Sequence, residues 1–312
     1  MSGAVKKLVL GFLFFSCAAT AQPSTPALTA DSTLPARMLR GYLMIVGVMI
    51  DDCGPFDFVV DTGTNATLLD PQLARELGLH ARDRLQLESL SSSASVPRYF
   101  LQKLRVGPAI ISNSEALAVP LTQLKALDPR IRGILGMNVL LHFSFRLDFD
   151  RGVMELYPFP ETASVPAGLR VPVQINESRL LIAVASAAAP RGSWKLALDS
   201  GISQFLVFQE RIAPANDKSN SSRHGNRVMQ VSTNLAQHSA DTRWLSDLSI
   251  AETSLPTQEI VVLRNDLQKP ADPQDGLLPV APFHSVFFDR TSATIIFSPS
   301  PAAVSVAVLE TH

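Results

Sequence analysis

The sequence predicts an all-β protein built from two tandem lobes with a cleft between them, and three observations predict it. Most apolar runs are short, roughly four to eight residues bounded by Gly, Pro, Asn or Ser, and long helical periods are scarce. Two of these runs end in nearly the same word, Phe58-Val59-Val60-Asp61-Thr62-Gly63-Thr64 and Leu196-Ala197-Leu198-Asp199-Ser200-Gly201-Ile202. Three further pairs of words keep the same order at similar spacing. Phe100-Leu101-Gln102-Lys103-Leu104-Arg105-Val106 matches Trp244-Leu245-Ser246-Asp247-Leu248-Ser249-Ile250, Gly133-Ile134-Leu135-Gly136 matches Gly276-Leu277-Leu278-Pro279, and Phe149-Asp150-Arg151 matches Phe288-Asp289-Arg290. The offsets stay between 138 and 144 residues, so the chain reads as two copies of one β unit.

Along the chain, residues 1–21 have the three regions of a secretory signal peptide: Lys6-Lys7, the apolar run Leu8 to Phe15, and Ala19-Thr20-Ala21 before Gln22. This predicts an exported protein, periplasmic or secreted; the alternative is a lipoprotein acylated at Cys17, although Phe14 stands where such sites usually carry Leu. No later stretch approaches the roughly 20 apolar residues needed to span a bilayer. Residues 22–40, rich in Pro, Ser, Thr and Ala, read as a flexible lead-in. Lobe 1 is assigned to residues 41–158. It opens with two β-rich runs, Gly41 to Ile50 and Phe56 to Val60, flanking an Asp51-Asp52-Cys53-Gly54-Pro55 turn. A strand end at Leu68-Leu69 and a short helix from Pro71 to Leu79 follow. Residues 159–169 read as a linker, 170–300 as lobe 2 and 301–312 as a tail.

The 312 residues are 46% hydrophobic and 18% charged, enough to bury more than one core. A net charge of −1 without a basic run excludes the electrostatic footprint of a nucleic-acid binder. Beyond Cys17 the only thiol is Cys53, so no internal disulfide forms, and Cys53 reads as a turn residue rather than a nucleophile. His80, His142, His224, His238 and His284 fall at no metal-ligand spacing. Neither a Gly-x-Ser-x-Gly elbow nor a phosphate-cradling glycine loop occurs, and the sequons at Asn65 and Asn176 read as chance. No cofactor and no metal are expected.

The chemistry lies in the repeated aspartates. Two carboxyls held within hydrogen-bonding distance cannot both ionise cheaply, so they share a proton. One can then take a proton from water while the other donates to the carbonyl under attack. In each loop the glycine lets backbone approach the carboxylate, the hydroxyl of Thr62 or Ser200 can bridge to the opposite loop, and the preceding apolar strand holds the aspartate rigidly. These residues resemble the retropepsin-like and pepsin-like aspartic proteases, in which hydrophobic-hydrophobic-Asp-Thr/Ser-Gly is followed by hydrophobic-hydrophobic-Gly; here Val59-Val60-Asp61-Thr62-Gly63 is followed by Ile134-Leu135-Gly136. Gly54-Pro55-Phe56 and the run from Gly136 to Asp150 look like the bacterial exported branch.

The resemblance implies an acid-protease fold and hydrolysis of peptide bonds in extended peptide or protein substrates. Asp61 and Asp199 would be the catalytic pair, supported by Thr62, Gly63, Thr64, Ser200 and Gly201. A substrate-binding flap would run from Leu85 to Phe100 with Ser91, Ser92 and Ser93 near its tip, and Val228 to Trp244 is its lobe 2 counterpart, a second flap or a covering loop. Lobe 2 departs from the pattern at Pro279, where Gly is expected, and at Ile202. Thr64 can donate its hydroxyl to Asp61 and Ile202 can offer Asp199 nothing comparable, so the charge is expected on Asp61 and the proton on Asp199. A monomer follows if one chain holds both aspartates. The alternatives are a homodimer joining two Asp61 loops, or a catalytically inactive peptide-binding or scaffold protein of the cell envelope.

Overall fold

In the computed structural model, residues 26–28, 32–88, 93–158, 166–213, 228–232, 237–263 and 274–298 are described. The signal-peptide and tail assignments and Cys17 lie outside these residues. The architecture is all-β, with a nine-stranded sheet in the first half, a ten-stranded sheet in the second, and a six-stranded sheet to which both halves contribute.

The two large sheets repeat one topology. In lobe 1 the strand Cys53–Val60, which leads into Asp61, pairs antiparallel with Leu43–Ile50 and parallel with Ile131–Leu135; the latter pairs antiparallel with Thr67–Leu69, which runs parallel to Ala109–Ala118. In lobe 2 the strand Ser193–Asp199 pairs in the same senses with Arg179–Ala185 and Gly276–Pro279, followed by Phe205–Phe208 and Gln258–Leu263. Both aspartate strands are covered on both faces. Phe58 and Val60 enter the large core that spans the two lobes, while Val59 faces a second layer with Leu68, Leu117 and Ile134. Leu196 and Leu198 likewise face the shared core, and Ala197 faces a layer with Leu206, Val261 and Leu277. Two buried faces explain why these strands read as unbroken apolar runs rather than alternating ones.

The six-stranded sheet fastens the lobes together. Ser144–Asp148 pairs antiparallel with Ser285–Asp289 in the register Phe145 to Phe288 and Leu147 to Val286, and the Phe145 and Phe288 rings lie 5.4 Å apart between centroids. Outward from this centre lie Val153–Tyr157 and Ser32–Pro35 on one side, Thr294–Ser298 and Leu169–Pro172 on the other.

Three local expectations change. The stretch read as a flexible lead-in contains the strands Ser32–Pro35 and Arg37–Leu39. Leu34, Ala36 and Met38, at alternating positions, pack on the shared core, so this segment buries one face instead of remaining solvated. Leu169, placed in the linker, already begins a strand. Cys53 starts a strand paired to Ile50 rather than sitting in the turn, which is confined to Asp51 and Asp52, both with positive φ; the thiol is exposed. Elsewhere Thr67–Leu69 is a strand, and Pro71–Glu76 is a helix whose N-cap, Asp70, accepts a hydrogen bond from the Gln72 N–H. The segment from Leu85 to Phe100 is a hairpin of Asp83–Glu88 with Ser93–Val106, and Val228–Ser232 pairs with Gln237–Leu245 in the equivalent place. Ser91 and Ser92 lie outside the described residues, and Ser93 is the first residue of its strand.

Candidate active site

Each aspartate emerges where its strand ends against a parallel neighbour. The Asp61 N–H donates to Leu135 O at 3.1 Å, and the Val280 N–H donates to Asp199 O at 3.3 Å. Each carboxylate then accepts a hydrogen bond from the glycine two residues on: Gly63 N–H to Asp61 Oδ1 at 2.8 Å and Gly201 N–H to Asp199 Oδ1 at 2.7 Å. The same backbone turn therefore aims both side chains.

The loops interlock through four buried hydrogen bonds. The Thr62 N–H donates to Ser200 Oγ at 3.0 Å, and the Ser200 N–H donates to Thr62 Oγ1 at 3.1 Å. The Thr62 hydroxyl donates onward to Leu198 O at 3.0 Å, and the Ser200 hydroxyl to Val60 O at 2.9 Å. Every donor and acceptor in this ring belongs to the lobe opposite its partner. The glycines complete the approach. A Cβ built on Gly63 would stand 2.3 Å from Asp199 Cγ and Oδ2, and one on Gly201 would stand 2.8 Å from Asp61 Oδ2. Each loop thus receives the other's carboxyl in the space left by a missing side chain, and the Asp61 loop faces the Asp199 loop of its own chain.

Burial dominates the electrostatics. Asp61 and Asp199 are 1% and 0% exposed. Loss of water pushes the Asp61 carboxyl up to about 6, held back by hydrogen bonds from the Gly63 N–H, from the Asp199 carboxyl and from the Thr64 N–H. Asp199 is raised well above the usual carboxylate range, first by burial and then by the charge on Asp61. Asp199 Oδ2 is buried without a donor partner.

The support expected from Thr64 takes a different form. Its hydroxyl donates to Ala66 O at 3.3 Å, because that carbonyl lies two residues away on the same turn. The hydrogen bond to Asp61 comes from the Thr64 backbone N–H instead. Ile202, at the equivalent position, is 0% exposed among Leu181, Leu206 and Leu277. Pro279 stands in register with Asp199, and the Gly201 contact to Asp199 is kept despite it. Among the described residues no group of three or more His, Cys, Asp or Glu could hold a metal ion, and no helix is long and apolar enough to cross a membrane. Two neighbours of the site carried no signal in the sequence: Tyr42, whose hydroxyl bonds to the side chain of Ser203 across the lobes, and Ser203 itself.

Residues 46–139 match the family described as Aspartyl protease. This part of the chain is similar to the aspartyl proteases. The matched residues include Asp61, Thr62, Gly63 and the Ile134-Leu135-Gly136 word; Asp199 lies beyond them. Among solved structures the chain is similar to a retropepsin-like aspartic protease from Rickettsia conorii, with 17% identity over 44% of this chain and 96% of that one and a TM-score of 0.31. No curated protein matches the chain.

Proposed function

We propose that this protein is an aspartic endopeptidase whose single active site is the Asp61–Asp199 pair. The observation that carries the reading is reciprocal: Gly63 faces the Asp199 carboxyl and Gly201 faces the Asp61 carboxyl, each too closely for a side chain to intervene. Two acids so placed hold one proton between them. Asp199, the more strongly raised, keeps it.

The roles follow. Ionised Asp61 accepts a proton from a water between the carboxyls as that water's oxygen bonds to the peptide carbonyl carbon, while Asp199 gives its proton to the carbonyl oxygen. The tetrahedral diol then collapses: the proton gained by Asp61 passes to the departing nitrogen, the C–N bond breaks, and Asp199 regains a proton from the diol. No covalent enzyme intermediate forms. An extended peptide would lie across the cleft, with the hairpins Asp83–Glu88/Ser93–Val106 and Val228–Ser232/Gln237–Leu245 as the segments able to add backbone hydrogen bonds. One chain suffices for such a site, so a monomer is the proposed active form, exported after removal of residues 1–21.

The test is cleavage of a peptide library by wild type, Asp61→Asn and Asp199→Asn across pH. Loss of turnover in both variants is expected. Loss in Asp61→Asn alone would favour a homodimer of Asp61 loops, and a wild type inert at every pH would favour a silent, peptide-holding relative.

A further inference from the structure

The repeat that builds the cleft is broken at one place beside the aspartates. In lobe 1 the hairpin entering Leu43–Ile50 turns through Arg40, Gly41 and Tyr42 between the paired residues Leu39 and Leu43, with φ of 56° at Arg40 and 74° at Gly41. The lobe 2 counterpart turns through Glu177 and Ser178 alone, between Asn176 and Arg179. The lobe 1 turn is one residue longer, and its last residue is aromatic where lobe 2 has a serine.

That turn reaches a residue of the second lobe. The Tyr42 ring packs on the layer formed by Leu43, Ile45 and Val59, and its hydroxyl bonds to the side chain of Ser203, two residues beyond Gly201. Burial pushes the phenol up to about 12, so it stays neutral and keeps its proton at working pH. Tyr42 is half-buried, whereas Ser203 and Arg40 are exposed, so the contact borders the open side of the cleft rather than the core. Asp199 lies within electrostatic reach of the phenol. Ser178 is too short to make the mirror-related contact beside Asp61.

We infer that Tyr42 determines substrate specificity. With Ser203 it walls the Asp199 side of the cleft, so that the peptide side chain lodged there must be small, while the mirror-related side takes larger ones. Two repeated lobes alone would accept an extended peptide in either direction, and a wall on one side gives the cleft a polarity. This rests on the cleft binding peptides, as the proposed peptidase requires.

The experiment uses the full chain carrying Asp61→Asn, so that bound peptides are retained uncut, and selects a displayed random-peptide library. Adding Tyr42→Ala is expected to enrich Leu, Phe and Tyr by about tenfold or more at one peptide position only. Adding Tyr42→Phe, which keeps the wall and removes the hydroxyl, is expected to leave that position within about threefold of the parent. Identical preferences in the parent and Tyr42→Ala would overturn the inference. So would an equal shift with Tyr42→Phe, a shift spread over all positions, or a parent that retains no peptide. Failure of the peptidase reading is separate: wild type would leave the selected peptides uncut while selection still reports the wall.

Discussion

The two aspartate loops hold their carboxyls in one geometry by different means. The Asp61 loop is tied by polar contacts: the Thr64 hydroxyl to Ala66 O, the Met137 N–H to Thr64 O at 2.9 Å, and the Thr67 hydroxyl to Asn138 Oδ1 at 2.8 Å. The Asp199 loop has Ile202 sunk into an apolar layer in place of Thr64, and Pro279, with no N–H to give, where lobe 1 has Gly136. Yet the Gly63 and Gly201 bonds to the carboxylates differ by only 0.1 Å. Apolar packing can therefore replace a local hydrogen-bond network in aiming a carboxyl, provided that the four cross-lobe bonds are kept.

The largest effect that separates the loops should come from their glycines. Gly63→Ala drives a methyl onto the Asp199 carboxyl at 2.3 Å, and Gly201→Ala makes a looser clash with Asp61 at 2.8 Å. kcat/KM is expected to fall about a hundredfold or more for Gly63→Ala, and less for Gly201→Ala; equal losses would show that the loops bear on each other alike.

Next come the interlocking hydroxyls. Thr62→Val and Ser200→Ala each orphan a buried N–H and a buried carbonyl in the opposite lobe, at a cost of about 2–4 kcal/mol by denaturant unfolding. The double variant should lose less than the sum, because both changes break the same ring.

A smaller effect concerns charge. Both carboxyls have folded pKa values above their unfolded ones, so the folded state binds more protons, and stability falls as pH rises from about 4 through the folded values. Asp199→Asn removes the larger part of that cost. Its Tm is expected to exceed wild type by roughly 2–4 °C near pH 7 and to match it near pH 3.5, where both acids are protonated in either state. In turnover, wild type should lose activity as pH falls through about 6, where Asp61 takes up a proton.

The smallest effect is expected at Thr64. Because its backbone N–H serves Asp61 while its hydroxyl serves Ala66, Thr64→Ala should leave that acid limb in place. A shift of half a pH unit would restore the hydroxyl as a partner of Asp61.

The parts of this molecule legible in the sequence are those set by short-range pattern. The paired words around Asp61 and Asp199 carry the repeat, and runs such as Phe58-Val59-Val60 announce strands buried on both faces. The strand Ser32–Pro35 is hidden because Leu34, with Ala36 and Met38 beyond, alternates with Thr, Pro and Arg, and because the strand's partner, Val153–Tyr157, lies far along the chain. The Thr64 hydroxyl donates to Ala66 O, and that choice of acceptor depends on turn geometry that composition does not encode. Tyr42 gave no signal except a turn one residue longer than its counterpart, and only the folded chain brings it to Ser203.

The seam of the six-stranded sheet has a further consequence. Ser144–Asp148 and Ser285–Asp289 meet in antiparallel register as equivalent elements of the two repeats. A chain cut back to lobe 1 would bare the Ser144–Asp148 edge, a row of unmatched amides and carbonyls flanked by Phe145 and Leu147. The same strand from a second copy is the natural cap for it, so the fragment would be prone to self-association through the rim that now makes the protein one body.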